Sequence, residues 1–62
     1  MNRYFVQLIW PKATGNPTYC AELDAESKDE AKRLTEEMAR RDGFAGAPKQ
    51  RIAREIAKEV AA

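Results

Sequence analysis

The stretch Arg3-Tyr4-Phe5-Val6-Gln7-Leu8-Ile9-Trp10 decides the fold. It is dense in β-branched and aromatic residues and it stops at Pro11, which is typical of a β-strand. Side chains alternate between the two faces of a strand, so Tyr4, Val6, Leu8 and Trp10 share one face. Phe5, Gln7 and Ile9 share the other face. Because both faces are partly apolar, each needs a covering layer.

A second strand is predicted after a long turn. Residues 11–17 contain two prolines, a glycine and an Asn-Pro pair, a composition that predicts the loop of a wide hairpin. In residues 18–25 the alternation is cleaner, with Tyr19, Ala21, Leu23 and Ala25 on one side. The first half of the chain is therefore predicted to be a β-hairpin.

The clearest local signal is a helix start at Ser27. Ser27-Lys28-Asp29-Glu30 is a capping box, in which the serine hydroxyl and the glutamate carboxylate satisfy otherwise unpaired backbone N–H groups. Apolar residues then recur at helical spacing up to Met38, and Gly43 ends the pattern. We expect this helix to cover the face of the hairpin that carries Tyr4, Val6 and Leu8.

The last segment, residues 49–60, is predicted to form a second helix. Ile52, Ile56 and Val60 lie four apart among residues that favour helices, and Pro48 suits a first helical position. The expected fold is therefore α+β with the order ββαα. The alternative is a third strand over residues 50–56, since Ile52 and Ile56 also share strand parity, but the alanine and glutamate content disfavours it.

Composition argues against an active site of the usual kinds. The 62 residues are enough for one domain, which we expect to span 1–62, with a core that is small for independent stability. There is no histidine, so the commonest metal ligand and general base are missing. Cys20 is the single cysteine and is expected to be a buried or half-buried strand residue. We expect no enzyme activity, no catalytic residues, no metal and no cofactor.

The N-terminal sequence and the length of the apolar segments indicate where the protein acts. The N-terminus lacks the length and cleavage pattern of a secretory signal, and no segment approaches 18 apolar residues. We therefore expect a cytoplasmic protein with no membrane partner. The small core also raises the expectation of a partner, which is a protein, a nucleoprotein complex or a second copy joined through the hairpin.

Two surfaces are candidates for binding that partner. The first is the exposed side of the hairpin with Phe5 and Ile9, together with Trp10 at the loop; these three are the predicted partner-binding residues, because aromatic residues beside a loop can serve as anchors. This face is covered by the second helix, by a second copy or by another protein, and the sequence leaves these options open.

The second candidate surface is a basic segment. Residues 22–37 carry seven acids against three bases, whereas residues 40–58 carry six bases against two acids. Gly43-Phe44-Ala45-Gly46 joins the two predicted helices, and in this it resembles the Gly-x-x-Gly loop of KH-type RNA-binding domains. That arrangement favours contact with a phosphate backbone and predicts direct nucleic-acid binding as the alternative function. Its candidate contacts are Arg40, Arg41, Lys49, Arg51 and Arg54.

A broader resemblance covers the hairpin and first helix. The strand ending Tyr19-Cys20-Ala21-Glu22, followed by Ala-Glu-Ser-Lys-Asp-Glu-Ala-Lys-Arg-Leu over residues 25–34, is similar to very small phage-encoded proteins. Among these are inhibitors of host RNA polymerase and some anti-CRISPR proteins, which pack a short hairpin under one capped helix. The resemblance implies that the chain is a phage or mobile-element inhibitor that blocks a large host machine sterically or by charge, without catalysis.

Overall fold

A computed structural model describes residues 1–57 of the chain. Three strands, β1 (Asn2–Ile9), β2 (Tyr19–Ala25) and β3 (Gln50–Ala57), form one antiparallel sheet in the order β2-β1-β3. A single α-helix, α1 (Lys28–Arg41), lies between β2 and β3 in the chain. A short 3-10 helix over Lys12–Thr14 occupies the hairpin loop. The fold is α+β, as predicted.

The strand predicted first, β1, is the centre of the sheet. It pairs with β2 from Asn2↔Ala25 to Leu8↔Tyr19 without interruption. On its other side it pairs with β3 from Ile9↔Gln50, with a shift of register between Arg3 and Tyr4. Having a neighbour on each side satisfies the backbone groups of β1, which a two-stranded hairpin would leave half unpaired.

The prediction of two helices is wrong, because residues 50–57 form β3. The third strand that the sequence left as an alternative is what forms. Helix propensity is a weak preference of a few tenths of a kcal/mol per residue. Pairing with the open edge of β1, the most apolar strand, stabilises this segment more, through backbone hydrogen bonds and burial of side chains. In the strand, small Ala53 lies opposite Val6 and packs against the core. Lys58 and Val60, which the helical prediction included, lie outside the described residues.

The predicted helix is confirmed, and it covers the predicted face. The Glu30 N–H donates to Ser27 Oγ at 3.1 Å, and the helix begins at Lys28. The core lies between α1 and the sheet. Its fully or nearly buried members are Tyr4, Val6, Leu8, Trp10, Ala25, Ala31 and Ala39. Among residues 1–57 the one buried polar side chain is that of Thr35, whose hydroxyl donates to the Ala31 carbonyl at 2.7 Å.

The connection between α1 and β3 closes one end of this core. Phe44 packs on Trp10 with ring centroids 4.9 Å apart and meets Tyr19 edge-on at 5.2 Å. Gly46 has a φ of 80°, a left-handed conformation that glycine adopts without steric cost. The loop that resembles a KH-type loop therefore joins a helix to a strand, and its aromatic side chain faces inward.

Candidate protein-interaction surfaces

One face of the sheet has no covering layer among residues 1–57. We call it the open face, and it is built on Phe5 and Ile9 of β1 and Ile52 of β3. Phe5 and Ile9 are half-buried, and Ile52 is 39% exposed. Ile56, where the pairing of β1 and β3 shifts register, is 42% exposed. Apolar side chains thus extend across two strands on the side away from α1.

Charged side chains of both signs border the open face. Arg3 pairs with Asp24 at 3.4 Å, and both side chains remain about two-fifths exposed. The guanidinium of Arg54 lies over the Phe5 ring, 6.0 Å from its centroid. Glu22 stands opposite Phe5 on β2. An apolar centre with a mixed polar rim is the usual anatomy of a protein–protein interface.

The three predicted partner-binding residues do not share one surface. Phe5 and Ile9 lie on the open face, whereas Trp10 is only 5% exposed and belongs to the core beneath α1. Its Nε1–H donates to the Gly46 carbonyl at 3.0 Å. Trp10 therefore holds the loop after α1 in place, and the open face is completed instead by Ile52.

The five predicted nucleic-acid contacts are spread over the molecule. Arg40 and Arg41 lie at the C-terminal end of α1, where they face the negative end of the helix dipole. Arg51 is paired with Glu36 of α1. Arg54 lies on the open face, and the Lys49 N–H donates to the Ile9 carbonyl at 2.8 Å. These residues do not form one continuous basic stripe.

A groove that the sequence did not reveal lies between α1 and β2. Leu23 and Leu34 form its half-buried floor, Met38 is 37% exposed at its side, and Glu37 and Arg41 border it. Its volume is about 260 Å³. Helical spacing had assigned Leu34 and Met38 to the core.

Tyr19, at the start of β2, is hydrogen-bonded to the C-terminal cap residue of α1, Asp42. Its hydroxyl donates to Asp42 Oδ2 at 2.8 Å. The hydrogen bond to Asp42, with smaller contributions from burial and from the carboxylate charge, raises the pKa of Tyr19 above its usual value of 10.0. The pair joins the start of β2 to the end of α1.

Cys20 is exposed, on the open-face side of β2 opposite Gln7, so the prediction of a buried or half-buried strand residue is wrong in its burial. Residues 1–57 contain no cluster of three or more potential metal ligands. No helix within that part of the chain is long and apolar enough to cross a membrane. Comparison with protein-family models, with curated proteins and with solved structures finds no match to this chain.

Proposed function

We propose that this chain is a non-catalytic protein-binding module that engages its partner with the open face. The observation that carries the proposal is that Ile52 remains 39% exposed near half-buried Phe5 and Ile9, on a sheet face without a covering layer in residues 1–57. A domain this small has little apolar area to spare, so apolar residues left outside its core favour an interface.

The rim supports a protein as the partner. Arg3, Asp24, Glu22 and Arg54 place charges of both signs around the apolar centre, which suits a surface of mixed charge better than a uniformly negative phosphate backbone. The resemblance to small phage-encoded inhibitors supplies the class of partner. It is host nucleic-acid machinery, either RNA polymerase or a CRISPR effector, blocked in the cytoplasm by occupation of a functional surface.

The test is binding to purified RNA polymerase and to a purified CRISPR effector, measured by biolayer interferometry with the 62-residue chain immobilised. We expect Ile52→Glu to weaken binding by about tenfold or more, because it places a charge in the apolar centre of the interface. Ala13→Glu is the matched control, since it adds the same charge in the exposed 3-10 helix of the hairpin loop. Thermal unfolding of both variants establishes that they are folded.

Two results would contradict the proposal. Binding to neither complex removes the assigned partner class. Equal binding by the Ile52→Glu and Ala13→Glu variants removes the open face as the interface.

The alternative function is direct nucleic-acid binding through the basic residues. A titration of labelled single- and double-stranded nucleic acid at low and high salt distinguishes it from protein binding. Counterion release makes such binding steeply salt-dependent. Because the basic residues are divided among several surfaces, we expect no binding at moderate salt. Micromolar binding that Arg40→Ala and Arg41→Ala both weaken would favour the alternative.

A further inference from the structure

We infer that the groove between α1 and β2 is a second binding site, for an extended acidic peptide segment of a partner protein that adds to the sheet beside β2. The groove lies on the helix-covered side of the sheet and shares no residue with the open face. It therefore stands independently of the function proposed above.

The edge of the sheet supplies the first argument. Within residues 1–57 β2 is an outer strand, so alternate residues along it direct N–H and C=O groups away from β1, with no further strand in that part of the chain to pair with. Its seven residues pair with β1 in unbroken register and contain no proline. The other edge strand, β3, has an irregular register against β1 and carries charged residues at 51, 54 and 55. Irregular register and charged side chains both protect an edge from added strands. β2 has the charged residues Glu22 and Asp24, on its open-face side, but no irregularity of register.

The groove itself supplies the second argument. Leu23 and Leu34 make a floor continuous with the core, and Met38 lines one side. Its volume of about 260 Å³ accommodates one or two side chains, which is what a strand laid along β2 would direct towards α1. Methionine adapts its shape to different apolar ligands, which suits recognition of a side chain.

Charge identifies the occupant. Arg41 borders the groove, and Arg40 and Arg41 line an adjoining depression with Glu37. Glu37 is paired with Arg33 at 3.4 Å, whereas neither Arg40 nor Arg41 forms an ion pair within residues 1–57. Two guanidinium groups without acidic partners beside an apolar floor fit a segment in which an acidic residue lies two positions after a large apolar one, because alternate residues of a strand share a face.

The test uses an acetylated and amidated octapeptide of alternating threonine and valine, with leucine near its centre and aspartate two positions later so that both face α1, titrated into ¹⁵N-labelled protein. We expect shift changes at the backbone amides of β2 and at Leu34 and Met38, with slower hydrogen exchange along β2. A peptide with lysine in place of aspartate should bind at least about tenfold more weakly, because it meets the free guanidinium groups with like charge.

Reversing the charge at position 41 tests whether Arg41 contacts the charged residue of the peptide. Arg41→Glu should weaken the aspartate peptide and strengthen the lysine peptide. Lys28→Glu, the same reversal at the other end of α1, should change neither affinity. A peptide with a central proline, which cannot pair as a strand, should also fail to bind.

The proposal is overturned if β2 and α1 show no shift changes at millimolar peptide, if the changes fall on the open face, or if the two charged peptides bind equally. It is also overturned if β2 amides shift with protein concentration alone, since the occupant of the edge would then be a second copy of the chain.

Discussion

At the scale of single residues, Trp10 holds together parts of the chain that are far apart in sequence. It follows β1 directly, packs on Phe44 after α1, and donates a hydrogen bond to the Gly46 carbonyl. These contacts fix the connection that delivers β3 to its position beside β1. A side chain with this role is poorly suited to act as an exposed anchor, even though tryptophan is common in binding sites.

Trp10→Phe should lower the free energy of unfolding by about 1–2 kcal/mol, because it removes the hydrogen bond and part of the buried ring area. Urea unfolding followed by circular dichroism measures the change. The slope of the transition should stay that of the parent protein, since the fold is retained. An unchanged midpoint would mean that Trp10 does not secure the loop.

Tyr19 and Asp42 give a pH-dependent contact. The neutral phenol donates to the carboxylate, and ionisation would place two negative charges together, so the folded protein raises the pKa of Tyr19. The stabilisation is fully present below pH 10, the ordinary pKa of tyrosine, and is lost as the pH rises through the higher pKa of the folded state.

Asp42→Asn should bring the pKa of Tyr19 down towards 10, because it removes the acceptor's charge while keeping its size. An NMR titration of the ring carbons resolves Tyr19 from Tyr4 and gives the midpoint in each variant. An identical midpoint with and without the Asp42 carboxylate would exclude this cause.

At the scale of elements, the formation of α1 is encoded by residues close together in the sequence, whereas the formation of β3 is not. The Ser27 hydroxyl accepts the Glu30 N–H, so the start of α1 is encoded within four residues. β3 forms because β1 has an unfilled edge, and its own sequence favours a helix. The two elements therefore respond differently to substitution.

Ser27→Ala should cost about 1 kcal/mol, because a helix N–H loses its partner. In a domain of this size that corresponds to a fall in Tm of about 4–8 °C, measured by circular dichroism. Ser27→Asp keeps a capping oxygen and is the control, with an expected change of only a few tenths of a kcal/mol. Equal losses in both variants would show that the cap does not stabilise α1.

Neighbouring substitutions in β3 test the strand directly. Ala53→Asp places a charge against the core and should cost about 2 kcal/mol or more. Arg54→Asp introduces the same side chain one residue later on the open face, where it removes the contact with Phe5 and should cost less than about 1 kcal/mol. Chemical denaturation compares them, and similar losses would contradict the alternation of a strand.

At the scale of the whole molecule, one helix covers one face of a three-stranded sheet. Within residues 1–57 no second layer covers the open face, which leaves Cys20 exposed there. The same architecture leaves β2 as an outer strand beside the groove. The helix covers only one face of the sheet, so the other face and the edge at β2 are left uncovered by the rest of residues 1–57. Both proposed binding surfaces follow from this arrangement.

Cys20 reports on the open face. We expect a thiol reagent to label one cysteine per native chain without denaturant, at a rate within about tenfold of that of the unfolded chain, because an exposed thiol is not sterically protected. Labelling should not slow as protein concentration rises. Strong protection in the dilute native protein would contradict the exposure of this face.

The sequence predicted the hairpin and α1 because their signals are local. Parity along residues 3–10 separated Phe5 and Ile9 from Val6 and Leu8, and the capping box located the helix start. The same parity placed Trp10 on the covered face. Its selection as an anchor followed its residue type, and only its contacts with Phe44 and Gly46 showed where it lies.

The sequence by itself therefore determined the apolar central strand, its two-faced pattern and the capped helix that covers one face. The tertiary structure alone decided that residues 50–57 form a strand, that the basic residues are divided among several surfaces, and that a groove opens beside β2. These depend on which segments meet across long separations in the chain. Pairing with β1 outweighs a helix propensity of only a few tenths of a kcal/mol per residue.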